Sequence, residues 1–413
     1  MDTLLHKDAE YIVNKAIAAV MPDEAVRKAL EKKTFPGRVI LVAAGKAAWQ
    51  MANAAYNCVN VDSGIVITKY DHAKGTIGKL VIREAGHPTP DENSFSATKE
   101  AMEIVSDLKE TDTVLFLLSG GGSALFELPL IPREELQDIT KQLLASGADI
   151  TEINTIRKRL SAVKGGKFAL ACMPAQVYSI VLSDVLGDKL DVIASGPAYP
   201  DSSTAADAIA IANKYDLRLS EKARTLLQLE APKELSNVAT TVNGSVRQLC
   251  AAAADACREL GYEPVILTDQ LCCEARDAGR MLAEKLQAVG GNVALIAGGE
   301  TVVKLTGSGL GGRNQELALS AAQLIRDIPG AAVFSVGSDG TDGPTDAAGG
   351  YVDYTTAEAL EQAGISLEAV LANNDSYHAL QAVDGLIITG PTGTNVNDVS
   401  VALLKNMVYN EAK

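Results

Sequence analysis

Short runs of Val, Ile, Leu and Ala, each closed by Gly, Ser, Thr or Asp, recur along this chain with alanine-rich amphipathic segments between them. The runs lie at 39–45, 64–68, 113–119, 177–184, 264–268, 293–298, 332–337 and 386–390. Unbroken apolar runs mark strands covered on both faces. The intervening segments, such as 94–108 and 245–260, carry apolar residues at helical spacing, as does 4–31. Alternation of this kind predicts an α/β fold built on a parallel, doubly wound sheet.

A chain of 413 residues exceeds one ordinary core, so two domains are expected. Between 216 and 241 the sequence turns polar and lacks a buried strand. A boundary near Pro232 follows, with domains 1–235 and 236–413. The net charge of −15 argues against nucleic acid as a partner, because a phosphate backbone needs clustered Lys and Arg. Six cysteines without a C-x-x-C pair and four scattered histidines give no zinc spacing. The N-terminus carries early charges, and no stretch approaches the ~18 apolar residues of a membrane span. These features predict a soluble cytoplasmic protein with reduced thiols.

The chemistry is concentrated where strands end. Ser119, Gly120, Gly121, Gly122 and Ser123 directly follow the run at 113–118. Glycines there let backbone N–H groups surround an anion at the carboxyl edge of a sheet, or simply make a tight turn. Lys46 follows the first strand and precedes a helix. The helix dipole disfavours a cation at that point, so an anionic ligand is the expected reason for it. The segment 306–316 formally satisfies G-x-G-x-x-G through Gly307, Gly309 and Gly312. The acid that a dinucleotide site needs after the next strand is misplaced, however, which weakens that reading. Arg313, at the start of the next helix, offers a fork suited to carboxylate or phosphate.

Asp339, Asp342 and Asp346 crowd one loop, and Asp184 and Asp188 another, as candidate Mg²⁺ ligands or bases. Gly393 and Asn395 lie in a fourth loop able to orient a polyol or phosphate. The five cations within 157–167, Lys164 among them, are either a solvated helix face or a surface toward nucleotide phosphates. His87, in a turn with two prolines, reads as a structural histidine. No Walker loop, protein-kinase signature or nucleophile elbow is present. Amide nests, isolated cations and carboxylates are the equipment of phosphoryl transfer, whose catalysis is mainly positioning and charge stabilisation.

These same segments carry a resemblance. GKAA at 45–48, GHPTPD at 86–91, LLSGGGSAL at 117–125, NTIRKRLSAVKGGK at 154–167, LSDVLGDKLDVIASGP at 182–197, GGETVVKLTGSGLGGRNQE at 298–316 and GSDGTDGPTDAAGG at 337–350 resemble the class II glycerate kinases with a MOFRL domain. The resemblance implies ATP-dependent phosphorylation of D-glycerate, typically to 2-phosphoglycerate. It also implies a Rossmann-like N-terminal domain, a smaller α/β MOFRL-type C-terminal domain and an active cleft between them. Family members are thought to use the positions of Lys46 and Arg313. On that basis the expected catalytic residues are Lys46, Arg313 and Asp184. ATP would be held by 119–123, Lys164, Gly393 and Asn395, and Mg²⁺ by Asp188, Asp339 and Asp342. The expected partner is a small-molecule substrate, with the chain a monomer or homodimer. The rival expectation is a hydroxypyruvate reductase using NAD(P)H through the G-x-G-x-x-G segment.

Overall fold

The computed structural model describes residues 1–187 and 189–406. Asp188, expected to ligate a metal, lies outside the described residues. The chain divides into two compact units, Pro22–Asn243 and Met1–Met21 with Gly244–Lys413. The division falls eight residues beyond the expected 235/236 boundary, and the N-terminal helix joins the second unit.

In Pro22–Asn243 the strands are β1 (Val39–Ala44), β2 (Ser63–Lys69), β3 (Val81–Ala85), β4 (Thr113–Leu118), β5 (Gln176–Leu182) and β6 (Val238–Gly244). Their order is β3-β2-β1-β4-β5-β6, and β1 to β5 pair parallel throughout. β1 and β4 are buried along their whole length, as their unbroken apolar runs require. Helices Pro22–Leu30 and Ala48–Cys58 cover one face of the sheet. Helices Glu92–Ile104 and Lys167–Ala171 cover the other, around Phe116, Phe126 and Phe168. Helices Arg133–Ala145, Ile150–Leu160, Ala205–Lys214 and Glu221–Leu227 form a satellite cluster of their own.

The winding places β1 and β4 side by side although the chain leaves β1 toward β2 and only later returns to β4. This reversal opens a crevice beyond the carboxyl ends of the two strands, the position where open α/β sheets bind ligands.

The second unit holds β7 (Glu263–Leu271), β8 (Val293–Gly299), β9 (Ala331–Gly337), β10 (Gly349–Asp353), β11 (Leu386–Ile387) and β12 (Asp398–Leu404), in the order β11-β10-β9-β12-β8-β7. Only β7 and β8 pair parallel; the other neighbours are antiparallel. The expected parallel sheet is therefore realised in the first unit and replaced by a mixed sheet in the second. Helices Ala275–Gln287 and Arg313–Ile325 pack on one face, and Thr3–Ala19 and Val246–Glu259 on the other.

The helical pattern at 4–31 is two helices, Thr3–Ala19 and Pro22–Leu30, because Pro22 starts a new helix where its missing N–H costs nothing. Thr3–Ala19 is tied to the second unit by specific bonds. Asp8 Oδ2 accepts from Tyr262 Oη at 2.6 Å and pairs with Lys405 Nζ at 2.7 Å. Thr394 Oγ1 donates to the carbonyl of Val20 at 2.8 Å.

Candidate active site

The ends of β1 and β4 are laced together by their backbones. Ser119 N–H donates to Ala44 O at 3.1 Å, Lys46 N–H to Gly120 O at 2.9 Å, and Ala47 N–H to Ser119 Oγ at 3.1 Å. Lys46 and the glycine loop are thus one structural piece at the switch point. Gly121 has φ +86°, in the left-handed region. A methyl there would stand 3.0 Å from the His87 ring and 3.2 Å from Lys46 Cγ. A methyl on Gly120 would collide with the Asp184 carboxylate. Lys46, His87, Asp184 and 119–123 therefore surround one small volume. Among the described residues no carboxylate pairs with Lys46 Nζ. Burial, then the Lys46 charge, holds His87 below the ordinary imidazole range, so it is neutral at pH 7. The ring of His87, expected to be structural, packs against this loop.

The far side of the loop rests on groups the sequence did not single out. Ser123 Oγ lies 3.3 Å from Ser195 Oγ, which donates to Asn154 Oδ1 at 2.9 Å. Ala194 and Ser195 both have positive φ, 51° and 61°, a strained pair of non-glycine residues packed against Gly122 and Ser123. Such strain persists only where surrounding structure enforces it.

Lys164 requires a correction. Its side chain is fully buried. Nζ donates to Ser123 O at 2.8 Å and Phe126 O at 3.2 Å, and faces Glu127 Oε2 at 3.4 Å. Burial pulls it down to about 8. Lys164 presents no atom to a nucleotide; it holds the end of the loop from behind. The rest of the basic run is spent internally. Lys158 and Arg159 pair with Asp201, and Lys167 donates to the carbonyls of Lys158 and Ser161. Neither a solvated face nor a phosphate-facing surface describes this stretch. It is a scaffold of cations held by internal partners, in which Arg157 bonds Ser123 O and Glu127, and Arg157 and Arg159 each keep a buried Nε without a partner among the described residues.

In the second unit, the ends of β8 and β9 flank the start of β12, with Gly299 and Gly337 each opposite Asp398. Arg313 reaches this point from the start of its helix. Its Nε and a terminal nitrogen hold the Asp398 carboxylate at 2.5 and 2.9 Å, and its other terminal nitrogen faces Glu300 at 3.3 Å. Burial, with the nearby Asp342 charge, pushes Asp398 up to about 6 despite that pairing. A methyl on Gly337 would lie 3.3 Å from Asp339 Oδ1 and 3.5 Å from Asp398 Oδ1, so both acids border the same strand end.

Asp342 is not arranged as a metal ligand. Its two oxygens accept the N–H groups of Asn314 and Gln315 at 3.1 and 2.9 Å, capping helix Arg313–Ile325. Asp339 Oδ1 closes a turn by accepting from Thr341 N and Oγ1. The loop that carries Gly393 and Asn395 is tied to the Asp339 loop. Thr392 N–H donates to Asp339 O at 3.1 Å and Val396 N–H to Ser338 Oγ at 2.8 Å. Among the described residues no group of three or more His, Cys, Asp or Glu is placed to hold a metal ion.

The G-x-G-x-x-G segment serves the fold. The N–H groups of Thr306, Gly307, Ser308, Gly309 and Leu310 are all donated to Asn373, Asn374 and Asp375, at 2.7–3.2 Å. Methyls on Gly307 or Gly309 would strike Asn373 or Asp375. A loop with its amides already spent cannot cradle a pyrophosphate.

A family model described as Domain of unknown function (DUF4147) matches residues 8–228, and the MOFRL family model matches 293–398. A D-glycerate 2-kinase of Thermotoga maritima is 53% identical over 97% of this chain and 98% of its own length. The chain belongs to the glycerate kinase family. A glycerate 2-kinase of Pyrococcus horikoshii is 41% identical, over 95% of this chain and 96% of its own. A family member from Agrobacterium vitis, 40% identical over 95% and 93%, carries a provisional hydroxypyruvate reductase name. The crystal structure of a Thermotoga maritima glycerate kinase superposes with a TM-score of 0.93 at 52% identity, covering 97% of this chain and 99% of that one. The fold and segment order expected from the resemblance to glycerate kinases agree with these matches. No helix among the described residues is long and apolar enough to cross a membrane.

Proposed function

We propose that this protein transfers the γ-phosphoryl group of ATP to the 2-hydroxyl of D-glycerate, giving 2-phosphoglycerate and ADP. The observation that carries the reading is near-complete coverage at 53% identity by a protein named D-glycerate 2-kinase. The switch-point geometry supports it independently. In the loop 119–123 the N–H groups of Gly120, Gly121 and Ser123 have no acceptor among the described residues and are free for the phosphates, and Lys46, beside them, has no carboxylate partner among the described residues. Arg313, pre-oriented by Asp398, presents a fork to the glycerate carboxylate. The hydroxyl proton passes to a carboxylate, for which Asp339 is the candidate in the unit that holds Arg313.

Mg²⁺ fits the donor set in one way. It takes one or two carboxylates and completes its shell with phosphate and water oxygens, so no three-acid cluster is needed. Asp184, against Gly120, would hold it, and the ion would supply neutralisation of the phosphate charge.

The reductase alternative is disfavoured by the spent amides of 306–310. Incubating the protein with D-glycerate and either ATP or NAD(P)⁺ separates the two, and an enolase-first coupled assay distinguishes 2- from 3-phosphoglycerate. Lys46→Ala and Arg313→Ala are each expected to lower turnover by about 10²–10³-fold with the fold retained. Unchanged turnover in both would remove them from the site.

A further inference from the structure

A partly open cavity of about 490 Å³ lies within Pro22–Asn243 and takes no part in the site as assembled above. Pro88, Pro90 and Phe95 line one side, and Leu136, Leu144 and Ile153 another. Its size falls within the range of ~300–1,000 Å³ usual for small-molecule sites. Two connections join it to the phosphate loop. Arg157 lines the cavity while its terminal nitrogen donates to Ser123 O at 3.0 Å. Pro88 lines it while the preceding residue, His87, packs against Gly121. The Nε of Arg157 is buried and has no hydrogen-bond partner among the described residues, the kind of donor that a ligand acceptor satisfies.

We infer that this cavity receives the purine nucleoside of the phosphoryl donor, an inference that rests on the ATP-dependent reading above. Glycerate matches it poorly, because most of the lining is apolar and its volume far exceeds that of a three-carbon acid. A purine is flat and largely apolar on its faces, suited to stacking against such walls. Its edge carries donors and acceptors, for which Thr89, Gln137, Thr140 and Lys141 are polar lining residues beside Arg157. A triphosphate whose base sits here and whose tail runs past Arg157 reaches 119–123 without leaving this unit.

The test uses the full chain. Thr140→Trp fills the cavity from a half-buried helix position whose hydroxyl bonds only its own helix, to Leu136 O. By titration calorimetry it is expected to weaken ADP binding at least tenfold while inorganic triphosphate, which lacks the nucleoside, binds within twofold of wild type. ADP affinity within twofold of wild type, with the fold retained, overturns the assignment. Photolabelling of wild type with 8-azido-ATP keeps the question decidable if the variant misfolds. Label on peptides from 88–95 and 136–157 supports the cavity, and label elsewhere overturns it. Wild-type protein that turns over D-glycerate and ATP but is labelled elsewhere rejects the cavity alone. Protein labelled in the cavity but inactive on glycerate rejects the kinase reading alone.

Discussion

Replacing Asp398 with Asn should make the protein more stable and less active. The carboxylate is 4% exposed and is pushed up to about 6, against ~3.9 for an unburied aspartate. The folded carboxyl therefore holds its proton where the unfolded one has lost it. This group's contribution is most favourable at low pH and is lost as pH rises through 6. Above that point the folded state carries a penalty of ~3 kcal/mol for keeping Asp398 charged. Asparagine fits the same space uncharged and can still accept one bond from Arg313. The variant is expected to gain about 2–3 kcal/mol at pH 7 and little at pH 4. Hydrogen exchange of the peptides spanning β8, β9 and β12 is the appropriate measure, because the single tryptophan, Trp49, reports on the other unit. With one oxygen gone, the two-point hold on Arg313 is lost. Turnover of D-glycerate at pH 7 should fall about 10–100-fold through misplacement of the fork. A variant destabilised by more than ~1 kcal/mol at pH 7 would show that the ion pair outweighs the burial cost, and the reasoning fails.

Gly121→Ala places a methyl against His87 and Lys46 at φ +86°. It should cost about 1–2 kcal/mol in urea denaturation followed by Trp49 fluorescence, and it should depress kcat. Burial pulls Lys164 and Lys167 each down to about 8, so between pH 8 and ~10.4 the unfolded chain binds more protons than the folded one. Their combined contribution to the stability of Pro22–Asn243 should rise with pH across that window. Lys167→Met should flatten the rise seen by Trp49 fluorescence.

Much of the architecture was legible because the physics that hides a strand on both faces also writes it as an unbroken apolar run. β1, β4, β5, β8 and β9 announce themselves this way and are buried. β12 does not, since Asp398 and Ser400 interrupt its pattern. Both are buried because Arg313 and Ser335 supply their hydrogen bonds, a fact invisible without the partners. β6 was missed for the opposite reason, being half-exposed at a sheet edge. The mixed sheet of the second unit was likewise unreadable. Strand direction depends on connections, and β9, β10 and β12 give no sequence signal that separates antiparallel from parallel neighbours.

Glycine was the most informative residue at the site and also the most ambiguous. It reports that something approaches the backbone closely, and it does not report what. At Gly121 the approaching groups are His87 and Lys46, side chains with chemistry of their own, beside a strand end where the sheet reverses direction. At Gly307 and Gly309 the approaching group is the turn 373–375 of the same unit, which takes up the loop's amides. The two loops look alike in composition. They differ in how many N–H groups are committed: all of 306–310 are, whereas those of Gly120, Gly121 and Ser123 have no acceptor among the described residues, and this decides between an anion site and a packed turn. The cations obey the same rule. Lys46 and Lys164 both lie near 119–123, but Lys46 has no carboxylate partner among the described residues at its strand end, and Lys164 is enclosed by two carbonyls and Glu127. At 119–123, therefore, proximity to the loop assigns Lys46 rather than Lys164 to ligand binding.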